Sequence, residues 1–404
     1  MIALSRLHNP KTVLSPDHLL PALLDSCRGL AALMVLLFHV RSALFAPYAD
    51  ISPHGGGIAA FYGVTSFGHA AVIVFFVLSG FLVGGLVLHM DWPGRLPSYG
   101  LDRAVRIVPV IFGAVAVSLL VQALHIARSG SPSCTLHLAM ILGNMLNLQG
   151  FGIPSLCNNL ALWSVSNEVT YYAAFPVLVA VAIGHRGTGL RVAFGVALAA
   201  LAWSLVGTPL DDNNVALYFP VWLMGSALWF KAIPQARLVV ALPLFLMALF
   251  ATRSELAKSW FLASDLILGF CFTLVIGSLM EARAPGGLWA KSVARPFGRV
   301  LRWLSGISFS LYVTHYPLVR FFADWSNDAG PVLPARTISL SLVLGFVLLI
   351  LFCLAFATLF SAIFEAPRQH FRQRLGLFLA GLKLPPFFSR PSPSGSHCRP
   401  PPRY

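Results

Sequence analysis

The sequence predicts an all-α protein, a polytopic membrane bundle of about ten transmembrane helices with a re-entrant segment near 136–150. Three observations lead there. Of the 404 residues, 57% are hydrophobic and only 10% charged, too few charges to surround a water-soluble core of that size. Apolar runs able to cross a hydrocarbon layer of ~30 Å recur from Gly29 to Ala362, and the charge is confined to short loops between them. Within one of these runs stand an arginine and a histidine, which a lipid-facing helix excludes.

Residues 1–24 mix Pro10, Pro16 and Pro21 with polar residues and are expected to form an irregular lead-in. Spans are expected near 28–46, 69–90, 107–127, 168–184, 191–207, 215–230, 238–252, 261–280, 303–322 and 338–362. Residues 25–367 then make one membrane domain. The stretch 136–150 is apolar but short, and it carries Asn144 and Asn147. Treated as re-entrant, it puts 22 of the 28 basic residues on the side of the N-terminus, so both termini are expected in the cytoplasm. The net charge of +14 is accounted for by loops facing anionic lipid headgroups. No recognition module or aromatic platform points to nucleic acid.

The first span reads Asp25-Ser-Cys-Arg28-Gly29 through His39-Val40. Asp25 and Arg28 precede the apolar run and no small-residue cleavage site follows, so it reads as a mature helix and not as a signal peptide. On a helix, Arg28 and His39 lie about three turns plus ~20° apart, on one face, with a rise of roughly 16 Å. An arginine at one surface therefore sets the histidine near or beyond mid-bilayer. Asp25 is placed to pair with Arg28. Snorkelling alone is enough to explain Arg28. For His39 a working role is the expectation, because an ionisable group inside a span is costly.

Further along, residues 47–68 form a glycine-rich loop, read as a cover over the His39 site or as a connector. Ser79-Gly80 and Gly84-Gly85 interrupt a bulky apolar run and signal close helix packing. Arg103 and Arg106, three apart on an entering helix, either clamp phosphate or anchor the helix at the cytoplasmic surface. Glu168 follows Trp163-Ser164 and precedes Tyr171-Tyr172, and reads as a glutamate opening a helix at the external boundary. Asp265 is expected to complete a cap or a buried pair. Residues 281–302 read as a basic loop, and the next span carries Tyr312 and His315 on one face. Residues 368–382 can lie along the inner surface as a basic amphipathic helix, and the tail 368–404 is otherwise basic, proline-rich and largely disordered.

The six cysteines have no metal-type spacing, and no metal is expected. Cys27, Cys271 and Cys353 read as packing residues. Cys134 and Cys157 flank the re-entrant piece on the external side, where they either pair, if that compartment is oxidising, or stay as thiols.

Taken in order, these elements resemble acyltransferase family 3, bacterial membrane enzymes that acylate hydroxyls of cell-surface and secreted sugars. The resemblance rests on Leu24-Asp25 with Arg28-Gly29 and His39, on Phe75-Phe76-Val77-Leu78-Ser79-Gly80-Phe81, on Arg103 and Arg106 before Pro109, on Leu162-Trp163-Ser164 with Glu168 and Tyr172, and on Ser310-Leu311-Tyr312 with His315 and Pro317. It covers about residues 22–367. It departs at Ser26-Cys27 and at Val165-Ser166-Asn167, positions that avoid the charged residues.

The resemblance implies an O-acyltransferase, expected to be an acetyltransferase, in the bacterial inner membrane. Catalytic roles fall on His39, Arg28 and Glu168. Arg103 and Arg106 take the donor, acyl-CoA (acetyl-CoA first), from the cytoplasm. Trp163, Ser164, Tyr172 and His315 bind substrate, the acceptor being a sugar hydroxyl of a polysaccharide, glycolipid or oligosaccharide. His39 either removes the hydroxyl proton or carries the acyl group. A separate acyl-transfer or glycan-export partner is also implied, since some family members carry a second soluble domain. The alternative reading is a transporter or flippase for a glycolipid or small metabolite.

Overall fold

The computed structural model describes residues 7–373 apart from 16–17, 53, 93, 185–187, 210, 212–213, 231–232, 281, 283–287, 330–332 and 369–370, without side-chain detail at 188–190, 288–297 and 327–329. The first six residues of the expected lead-in and most of the expected tail, 374–404, lie outside the described residues. Helices and turns make up most of the described chain, with a β-bridge between Phe45 and Ala335. Six helical stretches among the described residues are long and apolar enough to cross a membrane: Leu20–Leu44, Gly56–Leu88, Leu96–Ser129, Leu162–Ala182, Phe261–Leu279 and Leu340–Glu365. Three shorter apolar helices accompany them, Arg191–Gly207, Val215–Ala227 and Gln235–Ala251.

A one-turn helix at Pro10–Val13 interrupts the expected irregular lead-in. The first long helix, α1 (Leu20–Leu44), lies along the long α10 (Leu288–Ala329), and Ser305 of α10 donates to Asp25 at 3.1 Å. Helix α2 (Gly68–Ser79) is the innermost. It passes into a π turn at Gly80–Gly84 before resuming at Gly85–Leu88. Widening the helix there lets α7 (Val215–Ala227) approach backbone to backbone. A Cβ on Gly80 would collide with the carbonyl of Trp222, and one on Gly225 with the carbonyl of Val77. The small residues seen in the sequence are therefore the contact itself. Trp229 Nε1 donates to the Phe81 carbonyl at 2.7 Å, holding the π turn against the turn that follows α7.

Helix α3 (Leu96–Ser129) is 34 residues long and carries Arg103 and Arg106 in its first third. It ends at Gly130 with φ 72°, the left-handed stop that glycine supplies without steric cost. The stretch expected to re-enter holds only the eight-residue α4 (Leu138–Met145) and a 3-10 turn at Gln149–Phe151. At 1.5 Å per residue α4 is about 12 Å long, so it does not cross a membrane. Buried Asn144 folds the stretch back on itself. Its Nδ2 donates to the carbonyls of Met140 and Pro154, and its Oδ1 accepts from Gln149 Nε2 and the Leu156 amide.

Cys134 and Cys157 form a disulfide across this stretch, closing 23 residues. Peptide mass spectrometry under non-reducing conditions is expected to recover the linked pair. Cys134→Ser should destabilise the fold by about 3 kcal/mol, the loop-closure value for this length, seen as a lower melting temperature.

Helix α5 (Leu162–Ala182) starts six residues before the span expected at 168–184. Beyond α6 (Thr188–Gly207) and α7 come α8 (Leu238–Ala251) and α9 (Phe261–Leu279). Asp265 of α9, itself buried, accepts from the half-exposed His69 at 2.8 Å and from buried Tyr218 at 3.2 Å. The expected loop at 281–302 is helical from Leu288 onward, continuous with the next span in α10. Helix α11 (Leu340–Phe360) closes the bundle and turns through a second π segment, Ser361–Glu365. Its exposed row of Leu344, Leu348, Leu351 and Leu359 suits a lipid-facing surface.

Candidate active site

Two polar clusters occupy the bundle, set apart along α1 by the rise of roughly 16 Å from Arg28 to His39. The first is a histidine pair. The His39 ring lies 5.2 Å from His315 and 5.0 Å from Tyr316, both on α10. His315 is buried, and its Nδ1 donates to the Leu311 carbonyl at 3.0 Å. That contact leaves Nε2 as the lone-pair nitrogen, and Nε2 is buried without a hydrogen-bond partner among the described residues. One turn earlier the Tyr312 ring stands 5.9 Å from His315. The Tyr312 hydroxyl accepts from Ser164 of α5 at 2.7 Å. Arg41 flanks the pair, its guanidinium 4.9 Å from the Tyr62 ring and 5.3 Å from that of Phe38.

The second cluster gathers arginines from three parts of the chain: Arg28 on α1, Arg103 and Arg106 on α3, and Arg368 just after α11. The charged groups within electrostatic reach of Arg28 are Arg106, Asp25 and Glu365. Arg103 lies over the rings of Tyr99 and Tyr172, at 5.9 and 5.8 Å. Its Nε is buried without a partner among the described residues. Burial, and then the neighbouring Arg106, hold the Arg368 guanidinium below the ordinary arginine range. Burial strips the charged form of its hydration, and the neighbouring cation adds repulsion.

Asp25, Glu365 and Glu168 sit among these arginines, and each is engaged, Asp25 by Ser305. Glu365 accepts from Ser310 at 2.8 Å and lies 4.0 Å from Arg368. Glu168 accepts from the Tyr172 hydroxyl. That hydroxyl faces Ser79 at 3.2 Å, and Ser79 in turn accepts from Trp222 Nε1 at 3.1 Å. Because Tyr172 donates to Glu168, Ser79 donates to Tyr172, and the four groups form one chain of hydrogen bonds ending on the carboxylate.

The sequence reading placed Glu168 at the opening of a helix on the acceptor side. The structure places it nearly two turns inside α5, bonded to a tyrosine on which Arg103 and Arg106 act. It belongs with the arginines because α5 begins at Leu162 and each turn carries it 5.4 Å further along. Tyr172 joins the same cluster. Ser164 and His315 join the histidines, while Trp163 packs on Phe76 and Tyr218, at 6.0 and 5.7 Å, apart from both clusters.

Three participants escaped the sequence reading: Tyr316, Glu365 and Arg368. An acid closing the long apolar run of α11 was the available signal for Glu365. Nothing in the sequence pointed to Arg368, since only the packing of α11 against α3 brings it to Arg106. At the disulfide end a recess of about 30 Å³ is lined by His125, Cys134, Asn158, Arg320 and Asp324, among others, room for a water or two.

The family described as "Acyltransferase domain" (acyltransferase family 3) matches residues 22–364. Peptidoglycan O-acetyltransferase OatA of Listeria monocytogenes serovar 1/2a is 23% identical over 330 residues, 73% of this chain and 49% of OatA. YrhL of Bacillus subtilis strain 168, provisionally named a peptidoglycan O-acetyltransferase, is 24% identical over 358 residues, 76% of this chain and 50% of YrhL. The chain thus spans about half the length of these curated relatives. No solved structure matches it. With the motif residues gathered into two facing clusters and the family match running through nearly all the helices that hold them, the chain belongs to acyltransferase family 3.

Proposed function

We propose that the protein is a membrane O-acyltransferase that moves an acyl group, acetyl first among candidates, from cytoplasmic acyl-CoA to a sugar hydroxyl on the far side of the membrane. The observation that carries this reading is the pairing of an anion-seeking arginine cluster with a histidine pair one half-bilayer away on the same helix. Four arginines beside the already engaged carboxylates Asp25, Glu168 and Glu365 suit the phosphates of a donor. The names of the relatives support an acetyl group and a glycan.

The topology proposed with it has about ten spans: the six long stretches, the three shorter apolar helices and the outer part of α10. The α4 stretch is re-entrant and both termini are cytoplasmic, in a bacterial inner membrane. The disulfide supports placing its end in an oxidising compartment.

In this arrangement the arginines hold the donor phosphates and the thioester reaches His39. The lone pair of His39 attacks the thioester carbonyl, the C–S bond breaks and the thiolate leaves. The sugar hydroxyl then attacks the acyl-imidazolium, its proton passes to Nε2 of His315, and the C–N bond breaks to return neutral His39. Direct transfer, with a histidine acting only as base, needs the same residues and leaves no acyl-enzyme. Glu168 steadies Tyr172 beside the arginines.

The test is reconstitution of the purified chain in vesicles with labelled acetyl-CoA outside the cytoplasmic face and an oligosaccharide acceptor opposite. Labelled ester on the sugar is the expected result. Movement of intact glycolipid or metabolite without ester formation would instead establish the transporter reading.

A further inference from the structure

Helix α5 turns one polar face inward, with Ser164, Asn167, Glu168, Tyr171 and Tyr172 within about 140° at 100° per residue. Four of the five are satisfied. Ser164 bonds to Tyr312, Glu168 to Tyr172, Tyr172 to Ser79, and the Tyr171 hydroxyl to the Val215 carbonyl at 2.6 Å. Asn167, in the middle of that face, is fully buried at 0% exposure. Neither its Nδ2 nor its Oδ1 has a hydrogen-bond partner among the described residues.

The other buried amides lacking a partner on one atom keep one elsewhere in the group or backbone. Asn158 donates to the Ser118 carbonyl, Asn159 to Ser118 and the Val313 carbonyl, and Gln149 to Asn144. Asn167 is the case in which the whole carboxamide is orphaned, and a buried group left so destabilises the resting protein. Leucine or valine would fill the position without that penalty.

Its place along the helix is also particular. It lies one turn from Ser164, which is tied to the histidines, and just over one turn from Tyr172, which is tied to the arginines. Trp163 and Tyr171, one turn to either side in its own row, both pack on Phe76. Along α5 the orphaned amide therefore lies between the residue tied to the histidines and the residue tied to the arginines.

We infer that the Asn167 carboxamide receives the amide groups of a substrate, Nδ2 donating to a substrate carbonyl and Oδ1 accepting from a substrate N–H. This rests on the acyl-transfer reading for the identity of the substrates. Two sources share the chemistry. The arm of coenzyme A carries two successive secondary amides, so the carbonyl of one and the N–H of the other can meet a single carboxamide. An acetamido sugar offers its N–H together with a neighbouring hydroxyl or carbonyl.

The test is binding without turnover, so that it is read separately from acyl transfer. Pantetheine, the N-acetylglucosamine tetramer and the glucose tetramer are titrated by calorimetry into the purified full chain, as wild type and as Asn167→Leu. The expected result is that one amide-bearing probe binds the wild type and loses about 10- to 100-fold in affinity in the variant, as one or two buried hydrogen bonds are removed. The glucose tetramer should not change, and the variant should melt no lower than the wild type. Loss with pantetheine assigns the residue to the donor arm, and loss with the acetamido tetramer assigns it to the acceptor. Asn167→Ser serves as the variant should leucine prevent folding. Equal affinities in both proteins, no binding of either amide probe to the wild type, or a drop in melting temperature with unchanged affinity would overturn the inference. Absence of ester formation by a wild type that still shows the amide-dependent difference would overturn the acyl-transfer reading alone.

Discussion

His39→Ala is expected to lower acyl transfer by about a thousandfold or more while the protein still inserts and elutes as the wild type does. A positioned acid or base contributes roughly 10²- to 10⁴-fold, and a histidine that carries the acyl group contributes at least as much. His39 is only partly buried and makes ring contacts with Phe38, His315 and Tyr316, so truncation leaves little void and the melting temperature should move little. His315→Ala is the informative companion. If His39 carries the acyl group and His315 takes the hydroxyl proton, a labelled acyl-enzyme should accumulate in that variant under acid quench. Full activity of His39→Ala would remove the histidine from the mechanism.

Arg106→Ala is expected to raise the KM for acyl-CoA about 10- to 100-fold with a smaller change in kcat, because a charge-assisted hydrogen bond to phosphate is worth roughly 1.5–3 kcal/mol. Stability should hold or rise. Arg106 is a like charge acting on both Arg28 and Arg368, and removing it relieves repulsion that the resting protein bears. Arg106→Lys should recover only part of the affinity, since an ammonium cannot form the planar fork of a guanidinium. A KM that stays put in both variants would reduce Arg106 to an anchor at the membrane surface.

Several local readings survived contact with the structure because they depend on short-range rules. Every expected span has a helix at its position, since runs of apolar residues free of charge report helices directly. Ser79-Gly80 and Gly84-Gly85 marked a close approach, and the approach is there against Trp222 and Gly225. Asp265 is paired, with half-exposed His69 and buried Tyr218. The boundaries fared less well. Helix α5 begins at Leu162, so Glu168 moved from a helix opening to the interior, and with it from one end of the site to the other.

The sequence by itself determined the class of protein, the positions of the apolar helices and the facing of Arg28 and His39, because composition and the 3.6-residue period are local properties of the chain. It missed the helices at Gly56–Val64 and from Leu288, which it read as loops. Only the tertiary structure decided that His315 and Tyr316 stand against His39, that Glu168 and Tyr172 serve the arginines, that Arg368 returns to Arg106, and that Asn167 is left unpartnered. Those facts depend on how α1, α3, α5, α10 and α11 turn toward one another. Helix rotation is set by the fit of many small residues across interfaces far apart in the chain, and no single stretch of sequence carries it.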